Sequence, residues 1–181
     1  INSNLNHLKT LLDGCYLLGE LSNRTSDTIL SFGELLSSQI IAKALQQKNK
    51  NADYKDSREV IKTNNHFGKA VVNFDVTNKL IADFFKSTSN TVTVMPGFIA
   101  SSEDGNTTTL GRGGSDYTAA IVAGALNSSQ LEIWTDVNGM FTANPKIVKQ
   151  AQPIETISYQ EAMELSHFGA KVLYPPTIQP V

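Results

Sequence analysis

Residues 107–116, Thr-Thr-Thr-Leu-Gly-Arg-Gly-Gly-Ser-Asp, constrain this chain more than any other segment. After a threonine run, Gly111, Gly113 and Gly114 allow a tight turn and close approach of the backbone to a ligand. The apolar stretch 119–126 continues the segment as a helix expected over about 116–126. A strand that turns through glycines into a helix is a unit of a layered α/β fold, where ligands meet the carboxyl ends of strands and the N-termini of helices. Such a helix end offers N–H groups and a partial positive charge to an anion, and Arg112 adds a planar fork of donors. No Gly-Lys-Ser/Thr closes the segment, so it is not a Walker loop, and its glycine spacing is not the dinucleotide pattern. A strand-to-helix turn without a ligand is the alternative.

Local patterning elsewhere agrees with that class. Leu5, Leu8, Leu12 and Cys15 predict an N-terminal helix, and Ile29, Phe32, Leu36, Ile40 and Ala44 a second from about Asp27 to Gln47, with Thr25, Ser26 and Asp27 as N-cap candidates. Strands are expected at 58–63, 70–74, 91–100 and 131–134, the third interrupted at Pro96-Gly97. A helix is expected over about 76–86, capped by Asp75, a turn over 101–106, and a loop over 135–145. Ser158 and Glu161 match the capping box of a helix running to about His167. Strands alternating with helices predict a mostly parallel central sheet. No repeat or linker divides the 181 residues, so one domain, or much of one, is expected.

Charge narrows the function classes. With 15 Lys plus Arg, 17 Asp plus Glu and a net charge of −2, the basic footprint of a nucleic-acid binder is missing. The longest apolar run falls well short of the ~20 residues of a membrane span. One cysteine, Cys15, and the lack of a secretory pattern in the first 30 residues point to a reducing, cytoplasmic setting. Only three arginines, Arg24, Arg58 and Arg112, are available for a bidentate anion clamp.

Three further segments hold chemistry-bearing residues. In 132–141, Thr135 and Asp136 follow a predicted strand, where a ribose, amine or metal would be met; Asp136 capping a turn over a core Trp134 is the plainer reading. Phe141 either stacks on a base or packs. In 166–173, Lys171 lies beyond a helix end in an apolar stretch, and either snorkels or reaches a phosphate. His167 reads as structural, since the three histidines form no metal motif. In 31–38, Glu34 sits within an apolar helical pattern, either beside a site or on a solvated face.

Taken together, Phe32-Gly33-Glu34, the segment 109–116, Ile133-Trp134-Thr135-Asp136-Val137 and Phe168-Gly169-Ala170-Lys171-Val172-Leu173 resemble, over residues 28–178, the catalytic domain of the aspartokinases in the amino-acid kinase superfamily. The resemblance implies a layered α/β/α amino-acid kinase fold and transfer of the γ-phosphoryl group of MgATP to the β-carboxylate of L-aspartate. The product would be 4-phospho-L-aspartate, on the way to lysine, threonine and methionine. It implies that Arg112, Gly113 and Gly114 hold a substrate carboxylate and that Glu34 meets the ammonium. Ser115 and Asp116 would orient the substrate or the catalytic Lys171. ATP would lie against Thr135, Asp136, Phe141, Lys146, Lys171 and Val172, with Mg²⁺ held mainly through its phosphates. The aspartate nucleophile is ionised at neutral pH, so positive charge and positioning, rather than a general base, are the expected catalytic terms.

The sequence departs from the family pattern at Phe141, where a tyrosine is usual, at Lys146, where an arginine is usual, and at Tyr174 and Pro176. The family's Lys-Phe-Gly-Gly strand and regulatory ACT domains have no counterpart in 1–181. The expectation is thus a partial catalytic domain, weakly active or inactive alone, from a homo-oligomeric enzyme. Residues 159–166 and the leading helix also resemble the bifunctional aspartokinase–homoserine dehydrogenases. Another amino-acid kinase, for acetylglutamate, glutamate or carbamate, or a noncatalytic subunit of the same fold, are the competing readings.

Overall fold

A computed structural model describes residues 1–167 and 175–181. Helix α1 (Asn2–Leu18) ends at Gly19, whose left-handed backbone lets its N–H return to the Cys15 carbonyl. It lies along α2 (Asn23–Gln47), with His7 edge-on to Phe32 at 5.6 Å between ring centroids. Helix α2 starts four residues earlier than its periodicity implied, because Ser22 rather than Asp27 is the cap and accepts from Thr25 N–H at 3.1 Å.

The strands form two small sheets. Strands β1 (Ala52–Tyr54) and β3 (Val92–Val94) pair in parallel, while β2 (Lys62–Thr63) pairs in parallel with β4 (Ile99–Ser102), which pairs antiparallel with β5 (Thr107–Thr109). The chain reaches β3 from β2 through α4 (Phe74–Ser87). The β4–β5 hairpin turns at Gly105, φ 78°, whose N–H donates to the Ser102 carbonyl at 3.0 Å. The break at Pro96-Gly97 between β3 and β4 matches the sequence expectation.

Three expected strands are corrected. Residues 58–63 do not run as one strand: Ser57–Val60 form a helical turn, α3, leaving only Lys62–Thr63 extended. Asp56 causes this by accepting from the Arg58 N–H at 3.0 Å while holding the Arg58 guanidinium at 2.6 Å. Residues 70–74 contribute only the bridge Thr63–Val72, because Asn73 caps α4 through Val76 N–H, displacing the expected Asp75. Residues 131–134 form no strand; Trp134 is 90% exposed, with its indole N–H on the Glu132 carboxylate at 3.0 Å.

Helix α5 (Gly114–Ala125) and α4 pack on each other, and their Ile121 and Ile81 join Val60, Ile61, Val72, Ala100 and Leu110 in the main core. Helix α2 packs instead on β1, β3 and β5 through a separate buried set that includes Phe32 and Leu35. The strands are thereby sandwiched in helical layers, as expected. A smaller core of Met140, Ala162 and Ile178 joins the 140s loop, helix α6 (Tyr159–His167) and the short 3₁₀ turn Pro175–Ile178. Helix α6 carries the expected capping box: the Glu161 N–H donates to Ser158 Oγ at 3.2 Å and the Ser158 N–H to the Glu161 carboxylate at 3.0 Å. A Cβ on Gly124 would lie 2.2 Å from the Pro180 carbonyl oxygen, so only glycine lets this C-terminal segment rest on α5.

Candidate active site

The glycines meet the expectation of a tight turn into a helix, and the geometry supplies the reason. Strand β5 delivers the chain to Gly111, φ 74°, and Gly113, φ 69°, which is the N-cap of α5. Two left-handed backbones within three residues turn the chain at little steric cost. No side chain caps this helix end, and Asp116 is the acidic residue of its first turn.

The neighbouring backbone is packed against this turn. A Cβ on Gly97 would sit 2.8 Å from Ser115 Cα, and one on Gly114 would sit 2.9 Å from the Phe98 ring. Phe98 itself is held at φ 69°, a conformation costly for a residue with a side chain. Its N–H donates to Thr118 Oγ1 of α5 at 3.0 Å, and its carbonyl accepts from Leu110 N–H at 2.9 Å. The break between β3 and β4 therefore clamps the start of α5 from one side. The Phe67-Gly68 turn closes another side, where a Gly111 Cβ would come 3.3 Å from the Gly68 carbonyl.

A cavity of about 340 Å³ lies among these parts, lined in part by Asn23, Asp27, Phe67, Phe98, Gly111 and Arg112. Arg112 is exposed, and of the other two arginines Arg58 is committed to Asp56 and to Thr107 Oγ1 at 3.1 Å. Gly113, Gly114, Ser115 and Asp116 follow Arg112 directly at the helix start. Glu34 is half-buried on α2 and lines neither cavity; its carbonyl accepts from Ser38 Oγ at 2.6 Å.

Burial pushes the Asp116 carboxyl above its ordinary value of 3.8. The folded state thus holds this proton more tightly than the unfolded chain; the resulting stability is present below the ordinary value and is lost as pH rises through the raised one. Asp116→Asn is expected to melt with wild type at about pH 3 and above it at about pH 7. A variant less stable than wild type at neutral pH would show that the ionised carboxylate makes a favourable contact outweighing its burial.

A second cavity, about 670 Å³, is lined by residues that include Trp134, Thr135, Asn138, Met140, Ile157 and Tyr159. Thr135 Oγ1 donates to the Asp136 carboxylate at 3.2 Å. Asp136 and Lys146 are exposed, and neither they nor Phe141 line the cavity; Phe141 instead bridges to Pro153, and Asn144 turns the chain at Lys146 by accepting its N–H at 3.0 Å. Lys171, Val172 and Tyr174 lie outside the described residues.

Sequence reasoning missed Asp27, Gly97, Phe98 and Gly68. Asp27 was legible only as a cap and Gly97 only as a strand breaker; what they touch is distant in sequence.

The family model for the amino acid kinase family matches residues 6–181. Lysine-sensitive aspartokinase 3 of Escherichia coli K12 is 39% identical over 179 residues, covering 96% of this chain and 40% of its own length. The bifunctional aspartokinase/homoserine dehydrogenase of Buchnera aphidicola is 40% identical over 182 residues, covering all of this chain and 22% of its own length. The crystal structure of E. coli aspartokinase III in complex with aspartate and ADP matches with a TM-score of 0.90 and 39% identity, over 99% of this chain and 40% of that one. The chain thus spans 22–40% of the length of these relatives. With a match running almost from end to end and a strand, glycine turn and helix built around an arginine, the chain belongs to the amino acid kinase family.

Proposed function

We propose that this chain is the catalytic portion of an aspartokinase, moving the γ-phosphoryl group of ATP to the β-carboxylate of L-aspartate. The observation that carries the reading is the 0.90 match to an aspartokinase holding aspartate and ADP, on a chain whose Arg112-bearing turn lines a cavity.

Aspartate has two carboxylates and an ammonium, so a selective pocket needs a cation and an anion at fixed separation. We assign Arg112, Gly113, Gly114 and Ser115 to one carboxylate and Glu34 to the ammonium. Helix α2 carries Glu34 on the face of Asp27, since seven residues make about two turns. The α5 N-terminus adds its partial charge where phosphoryl oxygens accumulate negative charge. Asp116 and Lys171 are assigned to orienting and stabilising the transferred group.

The larger cavity fits a nucleoside: it is within the ~300–1,000 Å³ usual for such ligands, apolar for the most part, with Thr135, Asn138 and Ser158 as polar groups. We place ATP there, against Thr135, and assign Asp136, Phe141, Lys146 and Val172 to its binding although the first three stand outside the lining of the cavity. We assign Mg²⁺ to the ATP phosphates, the usual way this ion is held in phosphoryl-transfer sites. When bound, it neutralises phosphate charge. The same reading makes the enzyme a cytoplasmic homo-oligomer with further domains, a fused homoserine dehydrogenase among the candidates; no described helix is long and apolar enough to cross a membrane.

The test is ADP release by the full-length protein with L-aspartate, L-glutamate and acetylglutamate as acceptors. Turnover with aspartate well above the others is expected; preference for another acceptor, or none, sinks the assignment.

A further inference from the structure

Resting on that reading, we propose that Asp27 is a positioning residue that sets the separation between the Arg112 turn and the Glu34 helix. Asp27 is 1% exposed, one turn inside α2, and Ser22 already caps that helix, so its carboxylate is available for tertiary contacts. Among the described residues, the hydrogen bonds of its carboxylate all leave the helix. Oδ2 accepts from the backbone N–H of Gly68 at 2.9 Å and of Thr109 at 3.0 Å, and Oδ1 accepts from Thr109 Oγ1 at 2.9 Å and Gly68 N–H at 3.1 Å.

These donors belong to the two walls of the smaller cavity. Thr109 ends β5, three residues before Arg112, and Gly68 carries the carbonyl against which Gly111 turns. One side chain therefore fixes α2, the 67–68 turn and the exit of β5 to one another. Packing alone does not call for a charge here, since burying a carboxylate is costly unless donors converge on it. Convergent peptide dipoles tie directions as well as distances, and those directions decide where the Arg112 fork points relative to Glu34. A substrate read at both ends depends on that separation, whereas a nucleotide in the other cavity does not.

The experiment uses the full-length protein with Asp27→Asn, Thr109→Val and Thr109→Ser. Asparagine turns an N–H₂ toward peptide donors; valine deletes only the Thr109 hydroxyl, and serine keeps it. Asp27→Asn is expected to raise KM for aspartate about tenfold or more, with KM for MgATP within about twofold. Thr109→Val should raise it by a few-fold, and Thr109→Ser should lie much closer to wild type. Amide hydrogen exchange across 109–116 should quicken in the first two variants and not in the third. If Asp27→Asn does not fold, the two Thr109 variants decide the matter alone. Valine and serine variants with the same KM and the same exchange overturn the proposal, as does a parallel loss of kcat and both KM values. A wild type that turns over without aspartate preference defeats the substrate reading only; exchange then decides the role of Asp27.

Discussion

Replacing Arg112 by alanine is expected to raise KM for L-aspartate roughly 30- to 1,000-fold, the equivalent of about 2–4 kcal/mol, within the range lost when one partner of a hydrogen-bonded charge pair that the ligand desolvates is truncated. Neither of the other two arginines is placed to take over. Arg58 is held by Asp56 and Thr107, and Arg24 lies outside the glycine turn, at the start of α2. The α5 dipole alone supplies only a few tenths to about 1 kcal/mol. Arg112→Lys keeps the charge and loses the fork, and should fall between wild type and alanine. Because Arg112 is exposed, neither variant should shift the thermal midpoint noticeably, which separates a binding loss from a folding loss. Steady-state kinetics in aspartate at saturating MgATP make the check; an unchanged KM removes Arg112 from the substrate site and the functional reading with it.

The second large effect is expected at Gly97, a position without a side chain. A methyl there would meet Ser115 Cα at 2.8 Å and Cβ at 2.9 Å, and the first of these is backbone that cannot swing aside. Gly97→Ala must push the first turn of α5 away from the β3–β4 break, at a cost of about 1–3 kcal/mol for overpacking. The same displacement moves Ser115 and the Arg112 turn, so activity should fall together with stability. Gly14→Ala is the matched control: it lies within α1 with nothing within 4 Å of the added methyl, and alanine there should stabilise by up to about 1 kcal/mol. Denaturant unfolding of the pair tests the argument; a Gly97→Ala as stable as wild type would mean that the contact relaxes freely.

Particular elements show what was readable before the structure. The capping box at Ser158 and Glu161, the amphipathic run of α1 and the helix following Gly114 all depend on residues within one or two turns of each other, and all formed as their spacing implied. The strand expected at 131–134 did not, because a short apolar run says nothing about whether a partner strand is present to pair with it. Residues 58–63 failed for another local reason, an Asp56 cap strong enough to pull four residues into a helical turn. The start of α2 was set by Ser22, just outside the periodic pattern used to place it.

The glycine turn, its arginine and the helix behind it were determined by the sequence alone, since left-handed backbone, donor geometry and helix polarity are properties of neighbouring residues. What surrounds that turn was decided only by tertiary structure. Asp27 reaches Thr109 across 82 positions, and Gly97 and Phe98 meet α5 through contacts that exist only once β4 lies beside β5. A carboxylate one turn into a helix looks the same in sequence whether it faces water or two peptide N–H groups; the difference is made by which backbone the fold brings up to it.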